Sequence, residues 1–443
     1  MIALALPLVG SQLAAIAMVT TDVVMMGWLG PTQLAAGALA NAVYMPIMQF
    51  GFGVVTAVAP MAALALGARD YRGVRNSVRQ GFWVAAVFGA LFAIPLWNSA
   101  PLFMLMGQNP ELAVFAQEYL RAMLWGLIPL FWVIVLRGFL TAHSRPRAVF
   151  VVMVAGIGVN ALGNYALMFG NFGFPRLELV GAGLSTAIVD GFMALILIAF
   201  VLLDGSLRRY RLFTRFWRGN WSRFVEVLRL GMPIGLMILA ESSLFGAAGL
   251  LMGLIGTAEL AAHAIALQCA AVAFMVPLGI SQAVTARVGL AAGRRDRQGI
   301  GHAGWVGLGL GITCTLISAT LFWYAGEWLV GRFLDLDDAN NVPVVKLAVA
   351  FLLIAALFQL VDGAQAIGAG ALRGLRDTRV PMLLAIFGYW CVGFPASVVF
   401  AFWLDLGGRG VWMGLAVGLT VVAVLAVWRF HRREWLLPAL AVT

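Results

Sequence analysis

Residues 347–372 read LAVAFLLIAALFQLVDGAQAIGAGAL, an apolar run whose only charged residue is Asp362. Lys346 precedes the run and Arg373 follows it. As an α-helix the run is about 39 Å long, more than the roughly 30 Å thickness of the hydrocarbon core of a bilayer. Its apolar residues do not alternate with a period of two, so it does not read as a strand of a membrane barrel. The stretch predicts a transmembrane helix that carries a carboxyl group inside the membrane.

The composition extends this reading to the whole chain. Of the 443 residues, 62% are hydrophobic and 11% are charged, and the mean hydropathy is +0.95. A soluble domain has about 25% charged residues. The net charge of +10 does not indicate a nucleic-acid partner, because the basic residues form short clusters between apolar segments. The sequence therefore predicts an all-α integral membrane protein in contact with membrane lipid, with no nucleic-acid partner.

Twelve transmembrane helices are predicted, and the loops between them alternate in charge. By count, 24 of the 29 basic residues fall in the alternate loops and the C-terminal tail. Lys and Arg stay on the cytoplasmic side of a membrane, so both termini are expected in the cytoplasm of a cell whose inner membrane holds the protein. The helices are predicted near residues 5–27, 38–66, 80–98, 114–138, 147–169, 180–203, 227–255, 262–291, 302–325, 344–370, 380–404 and 409–430.

The two halves of the chain repeat at an offset of 226 residues. Residues 24–40 and 250–266 are identical at eight of seventeen positions, and the same offset pairs Asp70 with Asp296. Six helices per half predict two bundles related by a pseudo-twofold axis along the membrane normal, around a central cavity. The expected domains are residues 1–203, a cytoplasmic linker over residues 204–226, and residues 227–443.

Four acids lie well inside the predicted helices: Asp22, Asp190, Glu241 and Asp362. An ionisable group in hydrocarbon costs at least about 2.5 kcal/mol on insertion scales, so each is a candidate functional residue. None has a Lys or Arg within one turn of its own helix. Such a carboxylate suits the alternating binding of a proton, a sodium ion or an organic cation. The structural alternative is a protonated acid that is hydrogen-bonded inside the bundle.

Polar and aromatic neighbours add to these candidates. Asn160 and Asn164 are four residues apart and share a helix face, where they are expected to bond Asp22, line a cavity or clamp two helices together. Phe245 lies one turn after Glu241 and would place an aromatic face beside a carboxylate, which suits hydrophobic cations. Gln268 is a further candidate for substrate binding.

Other chemistry finds little support in the sequence. No phosphate-binding Gly-Lys-Ser/Thr loop is present, and the four histidines are scattered without the spacing of a zinc site. The three cysteines fall inside apolar segments and are expected to be packing residues. The protein is therefore not expected to be an enzyme or to hold a cofactor.

Several motifs together resemble one transporter family. They are TDVVMMG over residues 21–27, LAAH over 260–263, FQLVDGAQ over 358–365 and GALRG over 370–374. On these motifs the chain resembles the multidrug and toxic compound extrusion (MATE) transporters of the NorM-like branch, over essentially its whole length. The resemblance implies two six-helix bundles around a cavity and an exchange of organic cations for Na⁺ or H⁺.

The resemblance also implies roles for individual residues. The acids of the first, seventh and tenth helices match Asp22, Glu241 and Asp362, and the asparagine pair of the fifth helix matches Asn160 and Asn164. Glu241 and Asp362 would bind the metal ion if the coupling ion is Na⁺. Some relatives carry a tyrosine where this chain has Phe358, which has no oxygen to offer a cation. Asp190 has no assigned counterpart.

The sequence thus predicts a monomeric secondary transporter that exports amphipathic organic cations. Glu241, Asp362 and Asp22 are expected to bind the coupling cation or proton. Asp22, Asp190, Asn160, Asn164, Phe245 and Gln268 are expected to contact the substrate. The alternative is a lipid-linked glycan flippase of related architecture, which would need several arginines in its cavity to hold pyrophosphate. A membrane-embedded enzyme or a structural subunit would leave the duplicated bundle unexplained.

Overall fold

The computed structural model describes residues 1–214, 216–217, 219–336 and 338–436, so Arg215 and Arg218 of the predicted linker lie outside it. Over these residues it contains no strand and has twelve helices long and apolar enough to cross a membrane, which confirms the predicted all-α membrane fold. They are α1 (Ile2–Leu29), α2 (Pro31–Gly67), α3 (Tyr71–Leu96), α4 (Pro110–Ala142), α5 (Pro146–Leu167), α6 (Glu178–Leu203), α7 (Trp221–Ile255), α8 (Thr257–Gly293), α9 (Arg297–Tyr324), α10 (Val342–Gly374), α11 (Arg379–Trp403) and α12 (Gly407–His431).

Most helices extend beyond their predicted ends, because a helix continues past the apolar residues that cross the lipid. Helix α3 begins at Tyr71 rather than near residue 80, and α2 begins at Pro31 rather than near residue 38. Proline is favoured in the first helical turn, where its missing N–H leaves no bond unmade. Arg79 and Arg373 fall just outside the predicted ranges 80–98 and 344–370, and both lie within helices in the structure.

The internal repeat extends to backbone detail at the start of α3 and α9. Asp70 and Asp296 are their N-caps, and each carboxylate accepts a hydrogen bond of 2.8 Å from the backbone N–H three residues later. The preceding residues, Arg69 and Arg295, both have a φ of 59°. An N-cap acid satisfies one of the free N–H groups of the first helical turn. The same cap has thus been kept in both halves.

Helix packing follows the repeat as well. In the first half, α4 packs against α2, α3 and α6, and in the second half α10 packs against α8, α9 and α12. Each partner of α10 is the repeat equivalent of a partner of α4. The fourth helix of each half therefore occupies the centre of its own bundle.

The chain divides into two compact units. The N-terminal unit is Gly10–Gly235, and the C-terminal unit comprises Met1–Val9 and the chain from Leu236 onward. The two boundaries are 226 residues apart, which is the repeat offset. A Cβ atom on Gly53 would lie 2.4 Å from Cα of Gly235, and one on Gly279 would lie 2.7 Å from Cα of Val9. These are equivalent contacts in the two units, and both require a residue without a side chain.

Helix α11 departs from α-helical geometry over 12 of its 25 residues. It begins as an α-helix over Arg379–Ile386 and widens into π-helix over Phe387–Gly393 and again over Val399–Trp403. π-helical segments are rare and occur frequently at functional sites. Tyr389 lies in the first π-helical segment and is fully buried.

Candidate functional site

The carboxylate of Asp22 on α1 is held by three side chains of the N-terminal unit. Its Oδ1 accepts hydrogen bonds from Nδ2 of Asn160 at 2.9 Å and from Nδ2 of Asn164 at 2.7 Å. Its Oδ2 accepts a longer bond of 3.4 Å from the hydroxyl of Thr186 on α6. The two asparagines share one face of α5 because they are four residues apart. The structure thus brings together the predicted trio of Asp22, Asn160 and Asn164.

A second acid, Asp190, lies on α6 in the same unit. It is buried, and it is close enough to interact electrostatically with Asp22 and with the hydroxyl of Tyr44. Tyr119 is close enough to interact electrostatically with Asp22, and it lines the same cavity as Asn41. Two carboxylates and two phenols therefore form one polar cluster among apolar side chains. Asp190, which sequence could not assign, belongs to the surroundings of Asp22.

This polar cluster opens onto a cavity of about 270 Å³ within the N-terminal unit. The charged residues in its wall are Asp22, Asp190 and Arg137. Seven further lining residues are methionines: Met18, Met26, Met45, Met48, Met123, Met153 and Met193. Methionine is unbranched and polarisable, so a wall rich in it adapts to ligands of different shape.

The C-terminal unit contains the other two predicted acids. Glu241 on α7 is half-buried and close enough to the side chain of Gln365 on α10 to interact with it, while Asp362, one turn before Gln365 on α10, is only 4% exposed. The two carboxylates are close enough to interact electrostatically. The Oδ1 atom of Asp362 is buried without a hydrogen-bond partner. The structure thus brings Glu241 and Asp362 together.

Two residues join this pair that the sequence analysis did not single out. The hydroxyl of Tyr389 is buried without a partner, within electrostatic range of both acids. Arg373 interacts electrostatically with Glu241 and donates from Nη2 to the hydroxyl of Ser281 at 3.3 Å. The predicted helix ended near residue 370, whereas Arg373 lies in the last turn of α10 and brings a positive charge from another helix to Glu241.

The remaining predicted residues, Phe245 and Gln268, are not among the residues shown to interact with the acids. The ring of Phe245 meets Phe358 edge to face with centroids 6.1 Å apart, and Phe358 in turn packs against Trp412 at 5.7 Å. Gln268 is exposed on α8, and the described part of the chain shows no hydrogen bond to it. None of the ion pairs shown for the described residues involves Asp22, Asp190, Glu241 or Asp362.

Sequence signals for the missed residues exist but are faint. Arg137 is followed by GFLTA over residues 138–142, so an apolar stretch continues beyond it. Tyr389 is one aromatic residue in an apolar run that contains several, and only its hydroxyl group sets it apart. Neither residue breaks the helical pattern, so a search for embedded acids passes over both.

Buried carboxylates beside neutral amides and hydroxyls have a defined chemical capacity. Each binds a positive species or a proton, because an isolated charge in a low-dielectric medium is strongly unfavourable. In the described residues no group of three or more His, Cys, Asp or Glu side chains is arranged to hold a metal ion. The oxygens of Glu241, Asp362, Gln365 and Tyr389 instead form a set suited to a proton or a weakly held hard cation.

Comparison with known proteins identifies the family. The MatE family profile matches twice, over residues 7–166 and 233–399, and the two matches begin 226 residues apart. The probable multidrug resistance protein NorM of Mesorhizobium japonicum is 46% identical, with 99% of this chain and 95% of that protein covered. The protein of the same description in Pseudomonas aeruginosa is 42% identical, with 95% of this chain and 86% of that protein covered.

Solved structures show the same fold at lower identity. A crystal structure of a eukaryotic MATE transporter has a TM-score of 0.87 at 18% identity and covers 99% of this chain and 98% of its own. An outward-facing multidrug resistance MATE transporter has a TM-score of 0.87 at 22% identity and covers 99% and 95% of the two chains. With the family profile and the curated relatives, the chain belongs to the MatE family and to its NorM-like branch.

Proposed function

We propose that this protein is a secondary active transporter of the bacterial inner membrane that exports amphipathic organic cations in exchange for H⁺ or Na⁺. The observation that carries the proposal is the presence of two acidic clusters inside membrane-spanning helices, Asp22 with Asp190 and Glu241 with Asp362. Relatives described as multidrug resistance proteins support the export of drugs. In this proposal both termini are cytoplasmic, the monomer is the working unit and no organic cofactor takes part.

The two clusters have different roles in the proposed cycle. Glu241 and Asp362 bind the coupling cation or proton, and Tyr389 supplies the oxygen that Phe358 lacks. Asp22, with Asn160 and Asn164, binds either the positive group of the substrate or a proton. A cation and a proton exclude each other on one carboxylate, so loading one releases the other, and this differential binding couples the two flows.

The cavity of the N-terminal unit supports a broad substrate range. Its methionines offer adaptable apolar contact, while Asp22 and Asp190 provide the negative charge that selects a cation. A lipid-linked glycan flippase would need several arginines to hold pyrophosphate, whereas this cavity contains Arg137 alongside two acids. The charge of the cavity therefore favours cation export over the flippase alternative.

The experiment is efflux of ethidium from proteoliposomes with sodium and proton gradients imposed separately. We expect efflux to accelerate at least tenfold under one of the two inward gradients and to return to the background rate when the ionophore for that ion is added. Liposomes without protein give the background. Efflux that responds to neither gradient would contradict the proposal.

A further inference from the structure

A second cavity lies away from both acidic clusters, at the turn that joins α8 to α9 in the C-terminal unit. It is an open groove of about 640 Å³, walled by the last turns of α8 and the first turns of α9, which pack against each other. Its lining residues include none of the four embedded acids. The proposed exchange of cations therefore gives this groove no role.

The wall that α8 contributes is basic at both ends and apolar between them. A spacing of three, four and seven residues places four lining side chains on one helix face: Arg287, Leu290, Ala291 and Arg294. The two arginines are two turns apart, or about 10 Å along the helix axis. Both are exposed, and among the described residues neither guanidinium has a hydrogen bond or an ion pair. Two unpaired positive charges on one wall attract an anion.

The wall that α9 contributes adds hydrogen-bonding groups and an apolar end. Gln298 and His302 are exposed and one turn apart, and Val306 follows after another turn with an exposure of 41%. The acid of this wall, Asp296, is the N-cap of α9 and accepts a hydrogen bond of 2.8 Å from the backbone N–H of Gly299. The groove thus presents two guanidiniums, an amide and an imidazole beside one carboxylate that is already hydrogen-bonded.

An exposed apolar strip continues from the groove along the same face of α9. Ile317 follows Val306 by eleven residues, or three turns and about 16 Å, and is 68% exposed. Between them, a Cβ on Gly309 would meet no atom within 4 Å, and the hydroxyl of Thr313 donates at 2.9 Å to the carbonyl oxygen of Gly309. A ligand that follows this surface meets positive charge first and apolar surface next. Phospholipids carry their phosphate and acyl chains in that order.

The N-terminal unit indicates that the shared scaffold does not require these arginines. The repeat offset places Met61 at the equivalent of Arg287. It places Ala68 at the equivalent of Arg294. Met61 is only 3% exposed, so a position that belongs to the core of one unit carries an exposed guanidinium in the other. The two charges are therefore a feature of the C-terminal unit and call for an explanation of their own.

We infer that the groove binds an anionic phospholipid, with its phosphate at Arg287 and Arg294 and an acyl chain along the strip from Val306 to Ile317. Basic pockets between transmembrane helices bind lipid headgroups of this kind. The planar fork of arginine matches the oxygens of a phosphate. A phosphatidylcholine headgroup brings a positive group as well, which the two arginines repel. The inference does not depend on the proposed function, because neither acidic cluster takes part in it.

Native mass spectrometry of the full chain in detergent tests the inference, because it counts the lipids that stay bound. The two ligands are dioleoylphosphatidylglycerol and dioleoylphosphatidylcholine, which have the same acyl chains. We expect the wild type to bind the anionic lipid at least tenfold more tightly. In the double variant Arg287→Gln with Arg294→Gln, we expect affinity for phosphatidylglycerol to fall at least tenfold and affinity for phosphatidylcholine to stay within twofold.

The matched control is Arg295→Gln with Arg297→Gln, which removes the same charge from the same turn but outside the groove. We expect its affinity for phosphatidylglycerol to stay within twofold of the wild type. Equal losses in the two double variants would mean that surface charge in general attracts the lipid, and would overturn the inference. Equal affinity of the wild type for the two lipids would overturn it as well.

His302→Glu covers the case in which the double arginine variant fails to fold. It keeps both arginines and places a carboxylate in the groove, so we expect a similar loss of phosphatidylglycerol binding. Excess inorganic phosphate distinguishes a lipid from a soluble phosphate ligand, and we expect it to leave phosphatidylglycerol bound because only the lipid contacts the apolar strip. Displacement by inorganic phosphate, or unchanged binding in His302→Glu, would overturn the inference.

Discussion

The two units of the chain share their scaffold but not their charges. Both cap their third helix with an aspartate, and both surround their fourth helix with equivalent partners. The acids, however, occupy unrelated positions. The repeat offset places Ala248 at the equivalent of Asp22, and Ala15 at the equivalent of Glu241.

This difference separates residues that build the bundle from residues that act in it. N-caps and close helix contacts recur because the two units have the same arrangement of helices, and each unit requires them. The acids do not recur, and each has its own set of partners: two asparagines and a threonine for Asp22, and glutamine with arginine for Glu241. The two units thus share their helix arrangement and differ in the positions and partners of their buried acids.

The largest expected effect tests whether the units differ in role. We expect Asp362→Asn to reduce gradient-driven efflux of ethidium at least 100-fold, because the amide cannot alternate between a bound cation and a bound proton. Equilibrium binding of ethidium, followed by fluorescence anisotropy, is expected to change less than twofold. Asp22→Asn is expected to weaken binding itself by about tenfold.

The control for both variants is Glu259→Gln, which removes an acid from the first turn of α8, outside both clusters. We expect its efflux and its binding to match the wild type. If Asp362→Asn and Asp22→Asn weaken binding to the same extent, the proposed division between a coupling cluster and a substrate cluster is wrong.

The next effect tests whether the scaffold is equally constrained in both units. A Cβ on Gly53 or on Gly279 would collide with backbone atoms of α7 or α1. We expect Gly53→Ala and Gly279→Ala each to lower the free energy of unfolding by about 1–3 kcal/mol, the usual cost of overpacking. The measurement is the thermal midpoint in detergent.

Gly246→Ala is the matched control, since no atom lies within 4 Å of a Cβ at that position of α7. Its thermal midpoint is expected to equal or slightly exceed that of the wild type, because alanine favours the helix. A loss at Gly53 without a loss at Gly279 would show that the repeat does not impose the same packing in both units.

A smaller effect concerns the amides that hold Asp22. Asn160→Ala removes one of the two short hydrogen bonds to Oδ1 and leaves that from Asn164. A hydrogen bond to a charged group contributes about 1.5–3 kcal/mol, and the remaining donors offset part of its loss. We expect the KM for ethidium to change about fivefold, with a larger change when Asn164→Ala is added. A KM unchanged in the double variant would remove the asparagines from the site.

The smallest expected effect concerns the two N-caps, and we expect it to be equal in the two units. Asp70→Ala and Asp296→Ala each remove an N-cap, and such a loss costs about 1 kcal/mol. We expect equal decreases in the thermal midpoint, and we expect Asp70→Ser and Asp296→Ser, which keep a capping oxygen, to stay near the wild type. Unequal decreases in the thermal midpoint would mean that the two caps contribute differently to stability despite their common geometry.

Most of the fold could be predicted because lipid imposes a strict rule on sequence. A run such as residues 347–372 has few alternatives to a membrane-spanning helix, and the 226-residue offset follows from identities along the chain. Helix ends were less predictable, since Tyr71–Arg79 is helical although four of its residues are charged or aromatic. The hydropathy pattern reports where the lipid ends, not where the helix ends.

The candidate site could be predicted only in part. Its acids are conspicuous in apolar helices, and the spacing of Asn160 and Asn164 indicated a shared face. Arg373 and Tyr389 reach the C-terminal acids by tertiary packing, and Arg137 reaches the wall of the N-terminal cavity in the same way. A single sequence does not contain that information, because long basic and aromatic side chains are equally compatible with the end of a helix.

The π-helical segment around Tyr389 makes the geometry of the C-terminal cluster sensitive to chain length. Each residue of an α-helix turns the side chains that follow by about 100°. Deleting a single residue from Phe387–Gly393 would convert the segment into ordinary α-helix. The part of the helix on one side of the deletion would then rotate about the helix axis relative to the other part. A one-residue deletion or insertion here would thus change which side chain faces Glu241 and Asp362, and the proposed coupling site could be altered without a substitution of either acid.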